Sequence, residues 1–215
     1  MPARQRRTRG TRDAEAARAA ILAAAIREFT AKGLAGARMD AIARAAQVAK
    51  GLVFHHFGTK DGLWAAALAD IYRLLRAGQD EAVLDALGPE QGMRRLVTDT
   101  FRRFREHPEI VALMNEENLH RARHLKAAPE VRALYNPLFA AIERLIAEGR
   151  RQGVFHADVD VTALYVALSG LGYFYCANRW TLSAAFAGDL FRPDRIAIYE
   201  ALIADMVVAY LRRAP

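Results

Sequence analysis

The stretch Ile42–Leu63, "IARAAQVAKGLVFHHFGTKDGL", decides how the chain is read. Ile42, Ala43 and Ala46 fall on one helical face before an interruption at Gln47–Ala49, and Val53 and Phe57, four apart, share a face after it. The pattern predicts helices over about Met39–Ala46 and about Lys50–His56, joined by a three-residue turn. Those are the proportions of a helix-turn-helix, whose second helix enters the DNA major groove with its N-terminal residues toward the bases.

That second helix opens Lys50-Gly51-Leu52. Gly51 has no side chain to hold the backbone away from a base. Lys50 and Lys60 bracket the helix with positive charge. With Val53 and Phe57 facing inward, Phe54, His55 and His56 point outward or to the flank, where an imidazole N–H can donate to a phosphate oxygen. Adjacent helical residues point about 100° apart, which makes His55 and His56 a poor chelate. "FGTKDG" then reads as a turn, with Thr59 placed to cap the next helix.

Charge supports a polyanionic partner. Residues 1–60 carry twelve Lys/Arg against four Asp/Glu, while the other 155 residues carry nineteen against twenty. The first twelve residues, "MPARQRRTRGTR", read as a disordered basic arm in which Arg6, Arg7 and Arg9 are candidates for the minor groove. No apolar signal core follows the arm, and the acids Asp13, Glu15 and Glu28 argue against a transit peptide. No apolar run is long enough for a membrane span. The single cysteine, Cys176, lies among apolar and aromatic residues and reads as a small buried hydrophobe of a reducing, cytoplasmic protein.

The chain reads as all-α, with about nine helices and no convincing alternation of the strand type. Ile21, Ala25 and Phe29 form the stripe of a first helix, about residues 13–32, that Gly33 stops. The fourth helix is expected over about 60–87. The rest are expected at about 90–106, 109–124, 129–152, 158–181 and 194–213, with Pro137 kinking or restarting the segment that holds it. This divides the chain into an arm (1–12), a helix-turn-helix unit (13–59) and a larger helical domain (60–215).

Residues 14–63 resemble the DNA-binding domain of the tetracycline-repressor (TetR) family of bacterial transcription regulators. "ILAAAIREFTAKG" and "IARAAQVAKGLVFHHFGTKDGL" carry the resemblance. It implies that Lys50, Gly51 and Leu52 start the recognition helix. Phe54, His55, His56 and Lys60 are then the base- and phosphate-contacting set. This chain lacks hydroxyls common in the family: Ala37 and Arg38 stand at the entry to the second helix, Ala49 ends the turn, and Phe54 replaces a tyrosine. Arg38, Gln47 and the arm are expected to compensate, and Leu52 to touch a thymine methyl.

The resemblance further implies a homodimer on a palindromic double-stranded operator, released by a small-molecule effector, with no enzymatic activity and no cofactor. The last two long helices are apolar around most of their circumference and must be buried. Leu168, Leu171, Tyr175, Ile203, Val207 and Tyr210 are taken as their dimer-interface residues. Candidate effector contacts are Glu117, His120, Arg121 and His124, together with Tyr173, Asn178 and Trp180. The segment "NEENLHRARH" also admits a rival reading. Glu116, Glu117, His120 and His124 lie at spacings that a helical metal site or an enzyme could use.

Overall fold

The computed structural model of the protein describes residues 9–77, 81–156 and 158–213. Those residues form helices α1 (Arg9–Gly36), α2 (Met39–Ala45), α3 (Lys50–Phe57), α4 (Lys60–Arg76), α5 (Glu81–Ala86), α6 (Gly88–Glu106) and α7 (Pro108–Leu119). After them come α8 (Arg123–Lys126), α9 (Pro129–Ala133), α10 (Asn136–Arg151), α11 (Val161–Ala177), α12 (Arg179–Ala185) and α13 (Pro193–Arg212). The all-α class holds, and the first four helices start where the sequence places them, except that α1 begins at Arg9. Arg9 is therefore helical, whereas Arg6 and Arg7 of the expected arm lie outside the described residues.

Four expected helices each divide in two. The 60–87 helix ends at Arg76 and resumes at Glu81. Pro137, which has no N–H, sits in the first turn of α10, so that segment restarts at Asn136. Asn178 ends α11 by donating from Nδ2 to the Phe174 carbonyl at 3.0 Å. Between α7 and α8, Arg121 and Ala122 both adopt φ 56°, a left-handed conformation that costs a non-glycine residue on the order of 1 kcal/mol or more.

The chain forms two compact units. One takes in the chain up to Ile71 together with Ala112–Ala128; the other comprises Tyr72–Val111 and Pro129 onward. The end of α7 and all of α8 thus belong with the helix-turn-helix rather than with the larger unit. In the first unit Ile21, Ala25, Phe29, Ile42, Val53, Leu63 and Trp64 are buried, and Phe29 meets Trp64 edge-on at 4.9 Å. Gly33 takes φ 66°, ψ 177° and stops the regular part of α1, as its placement predicts.

In the second unit α6 is central. Its buried stripe of Met93, Leu96, Val97, Phe101 and Phe104 packs among α5, α10, α11 and α13. Burying each such side chain contributes about 1.5–3 kcal/mol. Four of the six expected dimer residues belong to this core: Leu168, Tyr175, Ile203 and Val207 are all buried within the unit. Tyr175 stacks on Tyr199 at 4.2 Å. Leu171 is partly buried and Tyr210 is exposed. Those four side chains are thus committed to the unit's own core, whereas Leu171 and Tyr210 keep exposed surface. The apolar surface that α11 and α13 leave uncovered is formed by Val166 and Phe174 and by Ile198, Leu202, Met206 and Tyr210. α11 is apolar all round, so its hydrophobic period could not say which side faces α6.

Candidate nucleic-acid interface

α2 and α3 pack together, and α1 packs against both. Val53 at the centre of α3 is fully buried and anchors the helix. Its partner Phe57 is half-buried, with the Arg18 guanidinium 5.1 Å from the ring centroid. Lys50, Gly51, Phe54 and His55 are exposed, and Leu52 and His56 are half-exposed. The outward set of the sequence reading is thus gathered on the surface of one short helix. His56 Nε2 is an exception: it is enclosed and has no hydrogen-bond partner. No side chain crowds the position of Gly51, so the backbone there is open to close approach.

The two lysines have distinct roles. Lys50 Nζ lies 2.7 Å from Asp40 Oδ1 of α2 and 6.0 Å from the Phe54 ring centroid. The hydrogen bond and charge of Lys50 hold the Asp40 carboxyl below its ordinary range. Lys60 Nζ donates to the Ala35 carbonyl at 3.0 Å and so ties the start of α4 to the end of α1. Arg38 is exposed and gives α2 no side-chain cap; its own N–H donates to Glu28 Oε1 at 3.2 Å. Gln47 is exposed in the turn at φ 57°. Arg18 and Arg44, both exposed, are basic groups of the same unit that the motif alone did not single out.

The corner after α3 is tightly built. Thr59 Oγ1 accepts the Gly62 N–H at 3.0 Å, as expected of a cap. A β-carbon on Gly62 would collide with the Phe57 carbonyl oxygen, so the first turn of α4 lies hard against the last residue of the recognition helix.

The acid–histidine segment is not built as a metal site. Glu117 is 2% exposed, and both its oxygens are occupied. Oε1 accepts the N–H groups of His124 and Leu125 at 2.8 and 3.2 Å. Oε2 accepts from Trp64 Nε1 at 2.9 Å and from His124 Nδ1 at 2.7 Å. His124 Nε2 accepts from Arg123 Nε at 3.2 Å and lies 3.5 Å from Asp61 Oδ1. Burial opposes ionisation of Glu117, but the hydrogen bonds from Trp64 and His124 outweigh it and set the carboxyl below its ordinary range. Glu116 Oε1 accepts the Leu34 N–H at 3.1 Å, and the half-buried His120 places Nε2 3.4 Å from the same oxygen. Among the described residues no group of three or more His, Cys, Asp and Glu could hold a metal ion.

The candidate effector residues separate. Glu117, His120, Arg121 and His124 belong to the first unit; Tyr173, Asn178 and Trp180 belong to the second. Tyr173 packs edge-on against Phe104, Asn178 caps α11, and Trp180 is 76% exposed. A different aromatic cluster forms in the second unit: Tyr135, Phe139 and Tyr165 meet within 6.0 Å of one another, with Tyr72 against Tyr135. The Arg76 guanidinium lies 4.7 and 5.0 Å from the Tyr135 and Tyr165 centroids and donates to the Tyr165 hydroxyl.

A short exposed helix led by Lys-Gly, braced by a second helix across a tight turn, defines a helix-turn-helix DNA-binding protein. Family comparison narrows this. The model described as "Bacterial regulatory proteins, tetR family" matches residues 21–67, and "Tetracyclin repressor-like, C-terminal domain" matches residues 89–207. The chain belongs to the TetR family. It is 32% identical to the HTH-type transcriptional repressor NicS of Pseudomonas putida, over 97% of this chain and 100% of that one. The TetR-family regulator PfmR of Thermus thermophilus superposes with a TM-score of 0.64 at 25% identity, covering 90% of this chain and 99% of its own. The regulator FadR of Bacillus subtilis, solved with stearoyl-CoA, has a TM-score of 0.68 at 14% identity, over 90% of this chain and 98% of its own. No described helix is long and apolar enough to cross a membrane.

Proposed function

We propose that the protein is a transcriptional repressor that binds a palindromic operator as a homodimer in the cytoplasm and is released by a small organic effector. The observation that carries this reading is the solvent-facing set on α3, with Lys50, Phe54 and His55 exposed around an uncrowded Gly51. Leu52 and Phe54 supply apolar contacts to base edges, Gly51 permits close approach, and His55 and Arg38 meet phosphates. On DNA, Lys50 exchanges Asp40 for a phosphate or a base edge. Lys60 acts chiefly by fixing the corner between α1 and α4.

One helix-turn-helix reads only a short site, and two related by a two-fold axis read half-sites about 34–36 Å apart or a multiple of that. The uncovered apolar face of α11 and α13 supports such pairing. Effector binding is supported by the aromatic cluster around Arg76, since ring walls with a few polar anchors suit a small organic molecule. The effector acts by favouring a state in which the two recognition helices no longer match the operator.

Selection of duplexes from a random pool by the purified protein tests the reading. It should recover an inverted repeat, bound with an affinity that falls steeply as salt rises. Recovery of no common motif, with binding indifferent to salt, overturns it. Rising affinity for a divalent metal with turnover of a substrate would instead favour the rival reading.

A further inference from the structure

We infer that Glu117 is a positioning residue for DNA reading: it fixes the recognition helix through Trp64, as the centre of a buried latch that ties the link between α7 and α8 to the start of α4. The inference rests on the DNA-binding reading above and adds residues that lie well behind the interface.

Three observations converge on it. The first is the donor set. One buried carboxylate collects four hydrogen bonds, from the indole of α4, from the His124 ring and from two backbone N–H groups at the start of α8. A carboxylate presents about four acceptor positions, so this one is filled. The second is the backbone beside it. Arg121 and Ala122 are held left-handed, a conformation that persists only where the surroundings over-determine it. The two N–H groups that Glu117 accepts belong to His124 and Leu125, the second and third residues after that link. The third is the route to α3. Trp64 lies one turn into α4 and packs on Phe29 of α1. Gly62, two residues earlier, abuts the carbonyl of Phe57, the last residue of α3. A displacement of Trp64 therefore presses on the recognition helix with no soft side chain between. Glu116 adds a second prong, since it accepts the Leu34 N–H beside the left-handed Gly33.

The groups facing the carboxylate are Trp64 and Asp61 from α4, with Asp61 reaching it only through His124, and Arg123 and His124 from α8. Glutamine at position 117 can offer one acceptor oxygen where the carboxylate has two. It keeps the start of α8 and turns an N–H₂ toward the Trp64 N–H, or the reverse. Either way the latch opens at one end while shape is kept. Phenylalanine at position 64 removes the indole donor and keeps a ring against Phe29.

The test uses the full chain carrying Trp180→Phe, which leaves Trp64 as the one tryptophan, and the duplex recovered by the selection above. Glu117→Gln should shift the Trp64 emission to longer wavelength and weaken binding of the selected duplex about tenfold. Binding of an unrelated duplex of equal length should stay within twofold, because no surface charge has changed. Trp64→Phe should weaken selected binding similarly. Combined in one chain, the two substitutions should do no more than either alone, since both break one contact. A purely structural role would lower the melting temperature and leave the folded protein's preference for the selected duplex intact. Wild-type discrimination in Glu117→Gln and in Trp64→Phe, or strictly additive losses, would sink the inference. If Glu117→Gln does not fold, Trp64→Phe decides alone. Failure to recover any selected duplex would count against the DNA-binding reading rather than against the latch.

Discussion

Cys176 and Glu117 show how a residue's surroundings fix its chemistry. Burial pushes the Cys176 thiol up to about 12, against the pull of Arg105 and Arg179 toward the thiolate. At pH 8 roughly one thiol in ten thousand is then ionised, so alkylation by iodoacetamide should run on the order of a thousandfold slower than for a free cysteine of pKa about 8.5. The rate should keep rising with pH beyond 9; a plateau there, read by mass spectrometry, would show an ordinary thiol. Glu117 has the opposite sign. Its folded carboxyl lies below the ordinary value of 4.5, so its stabilisation is full above that value and is lost as pH falls through the lower folded one. Urea unfolding of wild type should therefore weaken toward acid in part because Glu117 takes up a proton. Glu117→Ala should cost about 3 kcal/mol at neutral pH, because it strands buried donors, and should flatten that acid limb. An unchanged acid limb would assign it to other carboxylates.

Among the elements, the corner between α3 and α4 was the most legible in sequence and the link between α7 and α8 the least. Local chemistry writes the corner: Thr59 caps and glycines allow the turn, so "FGTKDG" announces itself. Because Gly62 abuts the Phe57 carbonyl, Gly62→Ala should overpack the corner. It should destabilise the protein by about 1–3 kcal/mol in thermal melts. A melting temperature equal to wild type would mean that the corner yields freely. The break at Arg121–Ala122 has no glycine or proline to mark it. It is held by a carboxylate that also reaches Trp64, 53 residues away in sequence, a contact that no local pattern encodes. Trp64 carries no local sequence signal for the same reason. The N-terminal arm is read from its charge. Deleting residues 1–8 removes Arg4, Arg6 and Arg7. If all three meet phosphates, the slope of log affinity against log salt should fall by up to about 0.9 for each. An unchanged slope would remove the arm from the interface.

At the scale of the whole molecule, the exposed face of α3 and the uncovered apolar face of α11 and α13 belong to different units, and each was legible to a different degree. The basic first quarter of the chain and its paired short helices marked the DNA-binding unit. The sequence marked α11 and α13 as apolar helices but not which side of each turns inward, because α11 is apolar around its whole circumference and gives a period analysis no preferred face. Packing against α6 resolves the choice by taking Leu168, Tyr175, Ile203 and Val207 inward. What remains outward on α13 is Ile198, Leu202, Met206 and Tyr210, each about one helical turn from the next, and Val166 and Phe174 stand out from α11. A groove of about 390 Å³ lies between these helices, lined by Ala163, Ala167, Leu171, Met206 and Tyr210, so small residues leave room for a partner's side chains. Exposed rows of this kind are costly in water and mark an interaction surface. Leu202→Glu together with Met206→Glu places two charges on that face without touching the core or α3. Sedimentation should then show a monomer that melts as a folded helical protein. Its affinity for the selected inverted repeat should fall to about that of a single half-site. The partner double change Leu168→Ala with Ile203→Ala should do the reverse: it should cost stability by several kcal/mol through core cavities and leave the dimer of the folded fraction intact. A dimer that survives both glutamates would move the pairing face elsewhere on the molecule.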